Sequence, residues 1–231
     1  YFFSKNTTFI QFQNKLNSGK TFTRKFTLIE GWNSKILKMK LNNAEGLIDF
    51  ISDLKEGIYK PDTYNYQWGD SRLMLLKRME TEQNKVLEKY WTLRLNDKII
   101  NTKYEALILA SIIEKETNKL QELKMISSVF RNRLAKKIKL QSDVTVAFGL
   151  NILGNKLTKN DLKKKNKFNT YINFGLPPTP ICYPSEKAIE AAILPIKTNY
   201  LYFVADGKGG HNFSKSYKKH IENIRTWLKQ R

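Results

Sequence analysis

The chain has 231 residues, of which 41% are hydrophobic and 12% aromatic. That content is enough to bury the core of one large domain or two small ones, which argues against a disordered chain. The composition is strongly basic, with 41 Lys and Arg against 21 Asp and Glu and a formal net charge of +20. We therefore expect an anionic partner (nucleic acid, a membrane face or an acidic polymer), or else a coding bias toward Lys and Asn.

The cysteine and histidine contents argue against an internal disulfide and against a zinc site. Cys182 is the single cysteine and cannot form an internal disulfide. His211 and His220 lie nine positions apart, without the spacing of a zinc site. We therefore expect no metal and no cofactor.

Apolar runs are short throughout the chain. The longest, residues 106–113, falls far below the roughly 18 residues that cross a bilayer, so no membrane-spanning segment is predicted. The chain begins at Tyr1 without a Met or a signal-like start. We expect a fragment or processed form that lacks its amino-terminal part.

Hydrophobic spacing and turn residues predict an α+β chain without internal repeats. In its first half we expect a helix over residues 8–16, a strand over 22–28, a mainly helical stretch over 33–56, an aromatic loop over 57–66 and a helix over 71–95. In its second half we expect a buried helix over 104–123, helical spacing over 125–134, an apolar segment over 141–149, an extended segment over 175–180, a helix from Ser185 to Pro195, a strand over 200–205 and a helix over 216–229.

Chemistry is expected at the end of the buried helix, where residues 106–113 run into Glu114 and Glu116. A carboxylate placed there costs several kcal/mol unless it is paired, hydrogen-bonded or protonated. The two side chains point about 200° apart, so they cannot both face one cleft. Glu114 extends the small-residue row of Ala110 and is the preferred working acid; the alternative is that both are ordinary charges at an exposed helix end.

A desolvated glutamate has a raised pKa, which suits general acid catalysis of glycosidic cleavage near neutral pH. Ordinary glycosidases need a second carboxylate as nucleophile or base. Asp143 is the best second candidate, followed by Asp62 and Asp206.

Several motifs, in the same order, resemble those of the YceG-like endolytic murein transglycosylases, and the resemblance covers essentially the whole chain. The motifs are residues 110–117, 129–134, 140–143, 169–171 with 175–178, and 200–213, preceded by 30–32 and 61–64. The chain departs from the family at Val144, where most members have Pro.

The resemblance implies a mainly helical, lysozyme-like or lytic-transglycosylase-like α+β core with small antiparallel sheet elements. Residues 1–31 would be the later portion of a LysM-like subdomain, and residues 32–231 the catalytic domain. Within that domain, 32–100 would form a connecting helical part and 101–231 the part that carries the motifs. The family also implies a single amino-terminal helix in the bacterial inner membrane, absent from this chain, with the catalytic domain on the periplasmic side.

The implied reaction is non-hydrolytic cleavage of the β-1,4 bond between N-acetylmuramic acid and N-acetylglucosamine, with formation of a 1,6-anhydro end. One carboxylate, carried over to Glu114, would serve in both proton transfers. Residues expected around the sugars are Gln141, Asp143, Asn169, Tyr171 and His211, with weaker expectations for Glu116, Asn132 and Tyr64.

The expected partners are peptidoglycan glycan strands and the synthases of the elongation or division machinery. The alternatives are a basic nucleic-acid-binding module and a non-catalytic peptidoglycan-binding scaffold. Residues 131–167 carry eleven basic and two acidic side chains, and 207–231 seven and one, so the excess charge lies away from the helix with Glu114. This distribution fits anionic lipid and peptidoglycan carboxylates, or coding bias, better than nucleic acid.

Overall fold

Eight α-helices and two antiparallel two-stranded sheets make up the computed structural model, which describes residues 3–19, 22–94, 98–152 and 156–229. The predicted α+β class is confirmed. In chain order the elements are α1 (Phe9–Asn17), β1 (Arg24–Leu28), α2 (Ser34–Asn42), β2 (Asp62–Tyr66), α3 (Arg72–Trp91), α4 (Lys103–Glu116), α5 (Leu123–Ala135), α6 (Asp143–Leu150), α7 (Glu186–Ile193), β3 (Tyr202–Ala205), β4 (His211–Ser214) and α8 (Tyr217–Lys229).

The first of two cores forms where β1 pairs with β2, with Arg24 opposite Tyr66 and Leu28 opposite Asp62. Alternate residues of both strands turn to one face and pack against α2 and α3. The buried side chains of this core include Phe26, Leu28, Leu37, Leu41, Tyr64, Tyr66, Leu75 and Met79. Because β1 shares this core with α2, the expected boundary between residues 31 and 32 falls inside one packed unit, and the LysM-like assignment stays a prediction.

The aromatic loop expected over residues 57–66 is partly wrong, since its last five residues form β2. Tyr64 is 6% exposed, and its hydroxyl donates to the Lys60 carbonyl at 2.9 Å. Tyr64 therefore stabilises the first core and does not line the cleft described below.

The helix expected over residues 33–56 ends at Asn42, and buried Arg72 accounts for the difference. Its guanidinium donates to five backbone carbonyls, which hold the segment after α2 in an irregular path. The acceptors are the carbonyls of Leu41, Asn42, Ala44, Leu47 and Asp49. Three of these acceptors, Ala44, Leu47 and Asp49, lie after α2, and their bonds to Arg72 hold this part of the chain in a loop where the sequence pattern predicts helix.

The second core surrounds α4, which is packed by α3, α5, α6 and α7. A capping box between Thr102 and Glu105 begins the helix, and all residues from 106 to 113 are buried, as their apolar run predicts. The prediction that this helix reaches residue 123 is wrong, since α4 ends at Glu116 and Thr117 is extended. The end of α4 therefore places Glu114 and Glu116 at the boundary of the core.

The long helix predicted to residue 95 is α3, which ends at Trp91. Residue 95 itself lies outside the described residues.

At the carboxyl end of the chain, α8 packs on the β3–β4 hairpin, and α5 contacts β3. Within the described ranges, none of the helices combines the length and the apolarity that crossing a membrane requires.

Replacing Arg72 by Met is expected to lower the free energy of unfolding by about 3 kcal/mol or more, because several carbonyls lose their donor inside the protein. Urea denaturation measures this loss. Arg78→Met on the same helix is the matched control, because exposed Arg78 makes a single backbone bond, to the Asn65 carbonyl. Equal stability losses in the two variants would contradict the role given to Arg72.

Candidate active site

A cleft of about 460 Å³ opens at the carboxyl end of α4, between α6 and α8. Its polar lining groups come mainly from α4, α5 and the start of α6, and its apolar lining residues come mainly from β3 and α8. The lining residues are Glu116, Arg133, Leu140, Gln141, Asp143, Tyr171, Phe203, Val204, His220, Ile224 and Trp227.

Glu116 is the carboxylate that the end of α4 presents to this cleft. Desolvation raises its pKa to about 7, and the neighbouring negative charge of Asp143 adds to the rise. The Ser142 hydroxyl donates to Glu116 Oε1 at 2.5 Å, and this bond, like the nearby His211, acts in the opposite direction by favouring the carboxylate. Glu116 can therefore give or take a proton near neutral pH.

Ser142 is held in place by a buried set of hydroxyl groups. Its backbone N–H donates to Thr170 Oγ1 at 3.0 Å, and Thr145 Oγ1 donates to the Ser142 carbonyl at 2.7 Å. The hydroxyls of Thr145 and Thr170 also lie 2.9 Å apart. Because its backbone is fixed on both sides, the Ser142 hydroxyl has a set direction toward Glu116.

Arg133 organises the wall next to Glu116. Its Nε donates to the Leu201 carbonyl at 2.6 Å, and its Nη1 donates to the carbonyls of Lys139 and Leu140 and to Gln141 Oε1 at 3.1 Å. Gln141 has a φ of 52°, in the left-handed region that a non-glycine residue adopts only with support. Arg133 therefore fixes the Gln141 side chain in the cleft.

Tyr171 and Asp143 form a second polar pair on the cleft, where the Tyr171 hydroxyl donates to Asp143 Oδ1 at 2.6 Å. Burial and this bond raise the pKa of Tyr171, which therefore stays protonated as a donor. The structure thus brings together Glu116, Gln141, Asp143 and Tyr171 among the residues expected from sequence.

Asn169 does not line the cleft, although it was expected among the sugar-binding residues. It is fully buried, its amide donates to the carbonyls of Leu162 and Lys164, and its Oδ1 accepts from the Tyr171 N–H. These bonds use the side chain to shape the loop before Tyr171. Through its bond to the Tyr171 N–H, Asn169 helps to place Tyr171, which does line the cleft.

Asn132 lies in a different groove, where its amide donates to the carbonyls of Thr198 and Tyr200. Those two bonds join α5 to the segment that leads into β3. Asn132 therefore does not line the cleft that holds Glu116, and its expected role in sugar binding stays a prediction.

His211 lies beside the cleft lining and is paired with Glu122. Its Nδ1 is 2.6 Å from Glu122 Oε2, and its backbone N–H donates to Glu122 Oε1 at 3.0 Å. Burial alone would raise the pKa of Glu122, but these bonds outweigh it and lower that pKa. The ring also stands edge-on to Phe203, with centroids 5.4 Å apart, so His211 supports the apolar wall.

Glu114, the preferred acid from sequence, points to another part of the molecule. Its Oε2 accepts from the Ser185 backbone N–H at 3.0 Å and from the Ser185 hydroxyl at 2.6 Å. Ser185 is the N-cap of α7, so this carboxylate reinforces the start of that helix. Glu116, and not Glu114, stands among the cleft-lining residues.

Sequence reasoning missed Ser142, Arg133 and the three cleft-lining residues of α8. Ser142 lies inside a motif that had been singled out, and a hydroxyl between Gln141 and Asp143 could have been tested as a partner for an acid. His220, Ile224 and Trp227 follow the i, i+4, i+7 spacing of one helix face, which marks a shared surface but not its neighbour. Burial and the charge of Arg133 lower the pKa of His220.

Metal binding finds no support in the described residues, which contain no group of three or more His, Cys, Asp or Glu side chains able to hold an ion. The polar groups of the cleft are instead engaged with one another by hydrogen bonds. The chemistry available there is proton transfer by a carboxyl group with a pKa of about 7.

Comparisons with known proteins point to one family. The family model described as YceG-like matches residues 1–226. An endolytic murein transglycosylase from Bacillus subtilis (strain 168) is 36% identical over 166 residues, which are 71% of this chain and 46% of that protein. One from Streptococcus pneumoniae serotype 2 is 32% identical over 176 residues, 73% of this chain and 31% of that protein. The chain thus spans less than half the length of these relatives.

A solved structure agrees with the sequence relatives. The crystal structure of a yceG-like protein from Listeria monocytogenes matches with a TM-score of 0.73 at 29% sequence identity. The match covers 92% of this chain and 80% of the Listeria chain.

Two substitutions are expected to move the pKa of Glu116 in opposite directions. Ser142→Ala removes a donor that favours the carboxylate, so the pKa should rise above about 7; Asp143→Asn removes a like charge, so it should fall below about 7. Carboxyl carbon NMR titration, with the resonance assigned by Glu116→Gln, measures both shifts.

Ser128→Ala provides the control for this pair, because that buried hydroxyl bonds Met125 and Thr198, in a different groove. It should leave the titration of Glu116 unchanged. Shifts of the same sign in the two test variants, or a wild-type pKa near 4.5, would contradict the electrostatic account.

Proposed function

The chain belongs to the YceG-like family, and we propose that it carries the catalytic region of an endolytic peptidoglycan lytic transglycosylase. Its reaction is cleavage of the β-1,4 bond between N-acetylmuramic acid and N-acetylglucosamine in nascent glycan strands, which terminates strand elongation. Two relatives named endolytic murein transglycosylase support this substrate class. The observation that carries the proposal is Glu116, a cleft carboxyl group with a pKa of about 7.

In the first step the protonated Glu116 gives its proton to the glycosidic oxygen as the bond from that oxygen to C1 of the muramoyl residue breaks. The Ser142 hydroxyl is bonded to Oε1, which leaves Oε2 to carry the transferred proton. Because the pKa is raised by desolvation to about 7, a useful fraction of the acid form exists at neutral pH. General acid catalysis of this kind contributes typically 10²–10⁴-fold.

In the second step the Glu116 carboxylate takes the proton of the muramoyl 6-hydroxyl while O6 bonds to C1. The ring closes as a 1,6-anhydro sugar, no water is consumed, and Glu116 returns to its acid form. The Ser142 hydrogen bond stabilises the carboxylate that exists between the two proton transfers. One carboxyl group with both protonation states accessible is sufficient for this sequence.

Asp143 has an electrostatic role in this proposal. It accepts a short hydrogen bond from Tyr171 and lies close enough to Glu116 to raise its pKa. Positive charge develops at C1 in glycosidic cleavage, and a carboxylate in the cleft stabilises that charge. Gln141, which Arg133 holds in the cleft, offers its amide N–H groups to the sugar.

Several wider expectations from sequence remain proposals. They are attachment to the inner membrane through an amino-terminal helix, exposure to the periplasm, association with peptidoglycan synthases, and the LysM-like character of residues 1–31. A nucleic-acid role receives no support from the cleft, whose carboxyl groups would repel phosphate.

Glu116→Gln is expected to reduce cleavage at least 10²-fold, because the amide cannot transfer the proton. Glu114→Gln is the matched control two residues away; it weakens the bond to Ser185 but should retain most activity. Purified glycan strands are incubated with each variant, and 1,6-anhydro ends are counted by mass spectrometry.

Three outcomes would contradict parts of this assignment. Activity lost in folded Glu114→Gln but kept in Glu116→Gln would transfer the acid role to Glu114. Reducing ends in place of anhydro ends would identify a hydrolase, and Asp143→Asn would then be tested as removal of its second carboxylate. Retained glycan binding without any cleavage by the wild type would indicate a scaffold.

A further inference from the structure

Helix α8 forms one side of the cleft although none of its residues is fully buried. It packs on β3 and β4, and the Tyr202 side chain of β3 contacts the first turn of α8. The Tyr202 ring stacks on His220 with centroids 5.0 Å apart and an interplanar angle of 22°, and it lies 5.9 Å from the Tyr217 ring. These ring contacts fix α8 at its amino-terminal end.

One face of α8 carries His220, Ile224 and Trp227 into the cleft lining. Phe203 and Val204 of β3, the strand on which α8 packs, add two apolar side chains to the lining. Gln141, Asp143 and Tyr171 provide the polar part of the lining, next to Glu116. The lining is therefore divided by element: hydrogen-bonding groups come from α4, α6 and the loops beside them, and mainly apolar groups, an indole ring among them, come from β3 and α8.

This division matches the chemistry of a β-1,4-linked pyranose. Its substituents are equatorial, so the polar groups form a rim and the two faces of the ring expose C–H bonds. Aromatic rings bind such faces, and the indole of Trp offers the largest apolar area. The same cleft lining also offers Gln141 and Tyr171 as hydrogen-bonding groups for the polar rim of such a ring.

We propose that Trp227 is the stacking platform for a pyranose ring of the glycan, which makes α8 a substrate-binding wall of the cleft. The inference rests on the proposed function, since it places the sugar substrate of that function in the same cleft. It assigns Trp227 a binding role and leaves the proton transfers to Glu116.

The experiment uses the Glu116→Gln protein, so that the probe is not consumed. The probe is a tetrasaccharide of alternating N-acetylglucosamine and N-acetylmuramic acid without stem peptides. Indole N–H resonances are followed by ¹⁵N NMR during titration, and the Trp227 resonance is assigned with Trp227→Phe. The expected result is a saturable shift of the Trp227 resonance.

Substitutions then test stacking against mere structural support. Trp227→Ala should weaken the tetrasaccharide Kd about tenfold or more, whereas Trp227→Phe, which keeps an aromatic face, should stay within about threefold. Leu228→Ala is the matched control, because the adjacent side chain is 56% exposed and is not among the cleft-lining residues. It should leave the Kd unchanged, and circular dichroism checks that each variant is folded.

The outcomes separate this inference from the proposed function. If the wild type makes anhydro ends but the Trp227 resonance is unmoved, or Trp227→Ala binds as tightly as Trp227→Phe, stacking is overturned and the function stands. If the resonance shifts but the wild type makes no anhydro ends, glycan stacking stands and the lytic reaction is overturned. Absence of both tetrasaccharide binding and cleavage overturns both.

Discussion

The cleft depends on one buried cation, the guanidinium of Arg133 at the end of α5. It is 7% exposed, and its charge is met by the carbonyls of Leu201, Lys139 and Leu140 and by the Gln141 side chain. The bonds to residues 139–141 hold the polar side of the cleft, and the bond to Leu201 holds the entry to β3. A buried charge without partners is costly, so these acceptors are needed for the fold as well as for the site.

The Arg133 guanidinium also interacts with aromatic side chains of β3 and α8. It lies 5.1 Å from the Tyr202 ring centroid, and Tyr202 in turn stacks on His220 of α8. Burial of the imidazole and, to a smaller extent, the positive charge of Arg133 lower the pKa of His220. Through the bonds of its Nε and Nη1 to backbone carbonyls and Gln141, Arg133 also shapes the cleft beside Glu116, which is the titrating group.

The sequence was sufficient to predict α4 and the carboxylates at its end, because an apolar run from 106 to 113 can be read without any knowledge of neighbours. It was not sufficient to choose between Glu114 and Glu116. That choice depends on Ser185, 71 positions after Glu114, and Ser142, 26 positions after Glu116. Helical spacing shows that the two side chains point in different directions. Only tertiary packing determines which of them lines a cleft.

Contacts between distant parts of the chain also explain why other predictions from the sequence differ from the structure. Residues 43–56 carry a helical apolar period, yet the carbonyls of Ala44, Leu47 and Asp49 bond to Arg72, which lies 23 to 28 positions further along the chain. Asn169 stands in one of the segments that carry the sequence resemblance, and such a segment alone cannot separate a ligand-binding amide from one that bonds to its own loop. Local patterns thus predict elements well and side-chain partners poorly, because partners are chosen across the whole chain.

The net positive charge of the protein and the raised pKa of Glu116 depend on interactions of different range. A protein of net charge +20 would be expected to lower the pKa of every carboxyl group, yet that of Glu116 is raised to about 7. Charges of exposed lysines beyond about 8 Å are largely screened at physiological salt, whereas desolvation and Asp143 act within the cleft. The basic surface can therefore serve attraction to anionic lipid or peptidoglycan without removing the proton that the proposed reaction needs.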